Sequence, residues 1–341
     1  MKIALDAMGG DYAPVVTVNG AIEAVEAFGV EVALVGDEEK VGRELERAKE
    51  EKKRLPPGLS VVHASQVVPM DEHRPADALR KYRDSSVVVA TELVAKGEAD
   101  AVVSAGNTGA AMAAALLRLK RIEGVERPAI GTVYPTVSGN TFLIDAGANV
   151  DCRPHHLLCF AVMGSAYAER VLGVRNPRVA LLSIGEEEGK GNELVFAAHQ
   201  LLKEGNVNFV GNIEGKDIPF GVADVVVTDG FAGNVVLKLS EGLGQAIFSM
   251  FKAGVETNLA AKIGALLMRP VLSLMKKRMD YAEYGGAPLL GVNGVSIIAH
   301  GRSDAKAIRN SIKAAHDAVA NDIVGAIRHG LARHTHADGC R

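Results

Sequence analysis

Apolar residues fall in two rhythms along the chain. Short β-branched runs occur at Lys2–Leu5, Val32–Val35, Ser60–His63, Ala101–Val103, Ala129–Tyr134, Thr141–Ile144, Arg178–Ser183, Asn208–Val210, Asp224–Thr228 and Val295–Ile298. Longer segments of helical period fill the gaps, among them 76–97, 109–120, 155–172, 192–204 and 303–328. Within the short runs the apolar side chains are consecutive rather than alternating, which predicts strands buried on both faces. The expected fold class is therefore α/β: three layers, a largely parallel sheet with helices on both faces. The charged stretch Glu46–Pro57 predicts a solvated helix and turn. No internal repeat and no Gly/Ser linker divides the chain.

Composition supports this pattern. Of 341 residues, 48% are apolar and only 4% aromatic, so the core is expected to be aliphatic. Its 37 glycines suit many tight strand-to-helix turns. A net charge of −3 lacks the basic excess of a nucleic-acid binder. The three cysteines, Cys152, Cys159 and Cys340, show no CxxC spacing, so neither a disulfide framework nor a zinc site is expected. The opening strand leaves no room for a signal peptide, and no apolar stretch reaches the ~20 residues of a membrane span.

The candidate chemistry lies at the strand ends. DAMGGD brings Asp6, Gly9, Gly10 and Asp11; SAGNTG brings Asn107 and Thr108; DAGAN brings Asp145 and Asn149. GKGNE brings Lys190 and Asn192, NIEG brings Glu214, TDGFAGN brings Asp229 and Asn234, and HG brings His300. In an open parallel sheet, ligands bind beyond the carboxyl ends of the strands. Glycines let backbone N–H groups approach an anion, and helix N-termini favour one. These loops are expected to share one edge and form one polar cleft. An Asp after a strand also caps the next helix or braces its own loop. The sequence leaves both roles open at Asp6, Asp11, Asp145 and Asp229. No GxGxxG follows a strand, and neither GxxxxGK[ST] nor GxSxG occurs, which argues against Rossmann, Walker and α/β-hydrolase sites. Cys152 has no arguable histidine partner and is not expected to be a nucleophile.

The motifs DAMGGD, SAGNTGA, DAGAN, KGNE, TDGFAGNVVLK, DYAEYGGAPLLGVNG and HGRS occur in this order between residue 2 and about residue 330. Together they resemble the bacterial phosphate acyltransferase family PlsX. The resemblance implies a fold similar to phosphotransacetylase and isopropylmalate dehydrogenase. It implies a homodimer that moves a fatty acyl group from acyl-carrier protein to inorganic phosphate, giving acyl phosphate for phospholipid synthesis. It implies a cytoplasmic enzyme in peripheral contact with the membrane, where a glycerol-3-phosphate acyltransferase is a possible partner. The expected domain is one two-lobed unit over 1–332, with 255–285 projecting and 333–341 a loose tail.

Attack of phosphate on a thioester needs positioning, charge neutralisation and an oxyanion site, but no protein nucleophile and no cofactor or metal. A carboxylate can accept the hydrogen of protonated phosphate and serve as base. The catalytic candidates are Asp6, Lys190, Asp229 and His300, with His300 acting on the leaving thiolate. The substrate-binding candidates are Gly9, Gly10, Asp11, Asn107, Thr108, Asp145, Asn149, Asn192, Glu214, Asn234 and Lys238. Lys190 and Lys238 are the cations expected to offset the acidic loops. A coenzyme A-dependent phosphotransacetylase, a metal- and nicotinamide-dependent dehydrogenase and a non-catalytic scaffold are the competing readings. The dehydrogenase would need an arginine-rich cleft that the loops lack.

Residues 259–279, LAAKIGALLMRPVLSLMKKRM, carry basic residues and no acid. Leu259, Ile263, Leu266 and Leu267 share one helical face, and Lys262, Arg269 and Lys276 share a stripe with Lys277 beside it. Pro270 predicts a bend or a helical hairpin. Such an element suits an anionic membrane surface or acidic acyl-carrier protein. It equally suits a core or dimer-interface helix.

Overall fold

A computed structural model gives the architecture. It describes residues 1–334 except 53, 73 and 280; the side chains of 75, 76, 276, 277, 279, 281 and 334 are also outside the description. Lys276, Lys277 and the tail beyond 334 therefore fall outside the described side chains.

Among the described residues, eleven strands form one continuous sheet. In chain order they are β1 (Lys2–Asp6), β2 (Glu31–Gly36), β3 (Leu59–His63), β4 (Ala101–Ser104), β5 (Ala129–Thr136), β6 (Gly139–Ile144), β7 (Val179–Ser183), β8 (Phe209–Glu214), β9 (Val225–Val227), β10 (Ala287–Leu290) and β11 (Val295–Ile298). The spatial order is β3-β2-β1-β4-β11-β10-β5-β6-β9-β7-β8.

The helices are α1 (Val15–Phe28), α2 (Glu38–Lys52), α3 (Pro75–Lys81), α4 (Ser86–Ala95), α5 (Thr108–Arg118), α6 (Pro154–Arg170), α7 (Glu193–Glu204), α8 (Gly230–Glu256), α9 (Leu259–Leu267), α10 (Arg269–Met279), α11 (Tyr281–Tyr284), α12 (Ala305–Ala320) and α13 (Ile323–His334). The main core packs the sheet against α1, α6, α7, α12 and α13; smaller clusters pack its other side against α3, α4, α5 and α8. The α/β class and the three layers are as the pattern predicts.

The sheet is parallel within each half and reversed between them. β10 runs antiparallel to β11 and to β5, and β5 runs antiparallel to β6. Three successive reversals set β6, β9, β7 and β8 opposite in direction to β3, β2, β1, β4 and β11. Sequence reasoning misses β10, because Pro288 inside APLL demotes the run to a non-strand. In the fold Pro288 lies opposite Ile297. The predicted helices 76–97 and 303–328 are each two helices. The second breaks at Asn321 and Asp322, where Asp322 takes a left-handed φ of 47°. The chain between Leu267 and Arg269 also breaks, with Pro270 in the first turn of α10, as its position predicts.

α8 begins directly on the loop after β6. A Cβ at Gly233 would lie 1.9 Å from the Asp145 carbonyl oxygen. The helix can seat there only because position 233 has no side chain. Gly242, farther along α8, has nothing within 4 Å of a Cβ. Gly233→Ala is expected to destabilise the fold by about 2 kcal/mol or more through overpacking. Gly242→Ala is expected to stabilise it by about 0.5–1 kcal/mol through helix propensity. Urea unfolding of both variants checks this; equal midpoints would mean that α8 is not seated on Asp145.

Candidate functional site

The strand reversal divides the candidate loops. Those after β1, β4 and β11 form the margin of one half and those after β6, β9, β7 and β8 the margin of the other; the strands run in opposite directions but end in one row, through Leu5, Val103, Ile297, Ile144, Val227 and Leu181. The candidate loops thus leave the sheet as two opposed sets rather than in one direction, and the two sets meet along that row, where Ala146 and Ala148 share a core cluster with Ala110 and Ala111 of α5. β1 and β6 are five places apart in the strand order. At ~4.8 Å per place, Asp6 and Asp145 stand roughly 24 Å apart across the sheet.

In the first group, Asp6 is buried and accepts hydrogen bonds from the Ser104 hydroxyl at 2.6 Å and the Met8 amide at 3.3 Å. Burial pushes its carboxyl above the ordinary carboxylate range, and the bond from Ser104 opposes that shift. Gly9 lies against it: a Cβ there would meet the Asp6 carboxylate at 2.5 Å and the Gly106 amide nitrogen at 2.7 Å. Gly10 has a φ of +107°, which turns the loop so that the Asp11 amide donates to Gly301 at 2.8 Å. Asn107 caps α5 through Ala110, and its amide donates to the Met70 and Glu72 carbonyls. Asp11, Thr108 and His300 are exposed, and His300 Nδ1 accepts from the Arg302 amide at 3.1 Å. The structure thus brings Asp6, Gly9, Gly10, Asp11, Asn107, Thr108 and His300 to one margin.

The second group centres on Asp145, which is fully buried. Its carboxylate accepts from the amides of Ile130, Gly147, Ala148 and Asn149 and from the Asn149 side chain, at 2.7–3.1 Å. Burial raises its pKa, with the backbone bond from Ala148 the leading opposing effect. The expectation that Asp6 and Asp145 face phosphate is not met in this structure: both are turned inward and brace their loops. Asn149 is likewise buried, its amide donating to Pro128 and Asp145. Asp229 caps α8 by accepting from Ala232 at 2.7 Å and keeps a partly exposed side chain. Asn234 sits beside Gly147, whose Cβ would lie 3.5 Å from its amide. Lys238 follows one turn later on the same face and is exposed. Cys152 lies close by; burial, Asp145 and Asp229 push its thiol up to about 12, so it is not an activated nucleophile.

The loops after β7 and β8 continue this margin. Lys190 is exposed; its amide donates to the Glu187 carbonyl at 3.0 Å, and its carbonyl accepts from the Ser183 hydroxyl at 3.0 Å. Among the described residues, no ion pair joins Lys190 or Lys238 to a carboxylate. Asn192 caps α7 through the Val195 amide. Glu214 pairs with Lys216 at 2.8 Å, which turns it from a free acid into half of a surface pair.

Sequence reasoning missed the partners that hold these loops. Ser104 stands 98 residues from Asp6, and no local motif links the two. Glu126 and the adjacent His155 and His156 form another such contact, with Nε2 atoms 2.6 and 2.7 Å from the carboxylate. These three ligand-type atoms lie within 4.8 Å of one another. They do not make a metal centre as they stand. His156 Nδ1 accepts from the Arg153 amide at 3.0 Å, so its Nε2 carries the proton and offers no lone pair. The two histidine bonds hold Glu126 down at about 2.

On the segment expected to project, no residue of α9 is buried. Ile263, Leu266 and Leu267 are exposed, as are Lys262 and Arg269. A core role within this chain is thereby removed.

The reversed halves and their loop margins define an α/β fold shared with acyl-transferring enzymes. A phosphotransacetylase from Streptococcus pyogenes superimposes with a TM-score of 0.65 at 18% identity, covering 94% of each chain. The EutD phosphotransacetylase from Staphylococcus aureus gives 0.61 at 16%, again over 94% of each. At these identities the likeness is one of fold. In sequence, residues 1–325 match the family described as "Fatty acid synthesis protein". A phosphate acyltransferase of Desulfitobacterium hafniense is 53% identical over 99% of both chains, and one of Desulforamulus reducens 55% over 97% of both. The chain belongs to this family, the phosphate acyltransferases of PlsX type, and is an acyltransferase.

The Glu126 trio has a pH signature. Burial is the leading cause that lowers the His156 pKa from its ordinary 6.5; His155 and Arg127 act the same way, and Glu126 opposes. The unfolded chain therefore takes up the proton first. The stabilising contribution is complete above about pH 6.5 and is lost as pH falls toward the folded value. Thermal melts across pH 5–8 are expected to show a decline on the acid side, flattened in His156→Gln, whose amide can still accept from the Arg153 amide. An unchanged slope in that variant would assign the acid sensitivity to other groups.

Proposed function

We propose that this phosphate acyltransferase takes its fatty acyl group from acyl-carrier protein and passes it to inorganic phosphate at the margin formed by the loops after β6, β9, β7 and β8. The observation that carries this reading is a pair of exposed lysines without carboxylate partners, Lys190 and Lys238, on a margin whose central acid, Asp145, is turned inward. Phosphate brings two negative charges or one, and it needs cations and N–H groups rather than open carboxylates. Lys190 and Lys238 supply the charge. Asn234 and the Asn192-capped start of α7 supply neutral donors and a favourable helix dipole.

A phosphate oxygen attacks the thioester carbonyl, the carbonyl oxygen becomes an oxyanion held by these donors, and the carbon–sulfur bond breaks to release the carrier thiolate. Asp229, partly exposed at the start of α8 and one turn before Asn234, is the candidate acceptor for the phosphate proton. His300 and Asp6 belong to the opposed set of loops, Asp6 with its side chain turned inward. An acyl-carrier-protein thioester and the matching coenzyme A thioester, each with phosphate and hydroxylamine trapping, distinguish the donors. The carrier thioester is expected to be preferred. Lys190→Ala is expected to lose about 10²–10³-fold in kcat with an unchanged melting temperature. Wild-type turnover in that variant would remove Lys190 from the reaction.

Two surfaces bear on partners. Along α8, Phe231, Val235, Leu239, Leu243, Ile247 and Met250 form an i, i+4 row, each more than half exposed. An apolar row of this length suits the same row of a second copy, the proposed homodimer. The basic apolar pair α9–α10 suits an anionic membrane surface. Leu243→Glu is expected to give monomers in sedimentation, and Leu266→Glu to lose flotation with anionic vesicles while staying dimeric. A Leu243→Glu dimer, or undiminished flotation of Leu266→Glu, would overturn the respective assignment.

A further inference from the structure

Lys190 sits on a loop of glycines and glutamates that has little apolar anchorage of its own. What fixes it comes from behind. The Glu187 carbonyl accepts two hydrogen bonds: one from the Lys190 amide at 3.0 Å, closing the turn, and one from the Asn212 side-chain amide at 3.1 Å. Asn212 is buried on β8. Because its nitrogen donates to Glu187, its Oδ1 is left as acceptor, and His199 Nδ1 lies 2.9 Å from it. Nδ1 of His199 must therefore carry the proton. His199 is itself buried on α7, edge-on to the Phe209 ring, with centroids 5.0 Å apart. Its Nε2 faces Glu188 at 3.6 Å, and Glu188 is held in turn by Lys203 at 2.7 Å.

A buried histidine–asparagine pair is an unusual use of core volume. Both partners forgo water, and a half-satisfied pair is worse than an apolar one. Here each bond leads outward to the turn that presents Lys190. We infer that His199 and Asn212 are positioning residues for Lys190: a relay from α7 through β8 that fixes the Glu187 carbonyl and, through it, the direction of the lysine. Neither touches substrate. The inference rests on the reading of Lys190 as the phosphate cation.

The relay makes specific demands. Asn212→Asp keeps the shape but replaces the donor facing Glu187 with an acceptor. His199→Phe keeps the ring and its contact with Phe209 but removes the Nδ1 proton. His199→Gln keeps an amide donor within reach of Asn212. A displaced cation costs catalysis more than binding of the acyl donor. Asn212→Asp and His199→Phe are expected to lose about 10–100-fold in kcat/KM for phosphate, with the acyl-donor KM unchanged. His199→Gln is expected to recover most of that loss. Hydrogen exchange at the Lys190 amide is expected to quicken in the first two variants and not in the third. In a Lys190→Ala background, Asn212→Asp is expected to add no further loss, because the two act as one unit.

Normal phosphate kinetics in Asn212→Asp and His199→Phe, alongside an inactive Lys190→Ala, would overturn the relay and leave Lys190 standing. Full activity in Lys190→Ala would overturn the reading of the lysine instead, and with it any catalytic role for the relay. A further loss from Asn212→Asp on top of Lys190→Ala would show that Asn212 acts through something other than the lysine.

Discussion

One buried carboxylate organises the second half of the molecule. Asp145 ends β6 and takes bonds from the start of β5, from the three residues of its own loop and from Asn149. Asn149 passes the constraint on: its carbonyl accepts the Gly230 amide at 2.7 Å, which is the first residue of α8. Gly233 then sits directly on the Asp145 carbonyl. The 27-residue helix α8, roughly 40 Å long, is therefore aimed from a single loop. That helix carries Asn234 and Lys238 near its start and the apolar row farther along. An unpaired carboxylate in this place would cost several kcal/mol. The surrounding N–H groups make it affordable and make the loop geometry singular.

The reversal through β10 and β5 is the second constraint. A fully parallel sheet would have brought the strand-end loops to one margin. Three antiparallel neighbours in the middle send the two halves in opposite directions and divide the polar loops into two groups. The consequence for chemistry is direct. Candidates that sequence alone treats as one set become two, and only one of them holds both Lys190 and Lys238. The register then sets the two groups against each other along one row of strand ends.

Much of the fold was legible because the apolar runs are consecutive where strands are buried on both faces, as at Val225–Val227. β10 was not, because Pro288 is a strand-breaking signal that an antiparallel pairing tolerates. The loops themselves were legible as glycine-rich strand ends, and Asp229 is the helix cap that an Asp after a strand can be; Asn192 and Asn107, read as substrate-binding residues, prove to be caps as well. What was not legible is which acids face inward. That is decided by partners far along the chain, such as Ser104 for Asp6 and Ile130 for Asp145. The His199–Asn212 contact is equally silent in sequence, since a lone histidine on an apolar helical face looks like any core histidine. Family resemblance carried the activity further than residue patterns did, but it did not carry the two margins.

The abundance of aspartate around an anion-using reaction then ceases to be a contradiction. Repulsion depends on where the charge is felt. Asp145 is removed from solvent, and its carboxylate oxygens are occupied by N–H donors of its own loop and of β5. Asp6 is similarly enclosed by Ser104 and the glycine turn. The lysines stand on neighbouring elements, Lys190 on the loop after β7 and Lys238 on α8. By drawing N–H groups inward on one side of each loop, the acids fix the loop's shape, and in the proposed reaction that fixed shape is what would hold phosphate without rearrangement. Loosening the brace would therefore be felt first as lost orientation and only afterwards as lost fold.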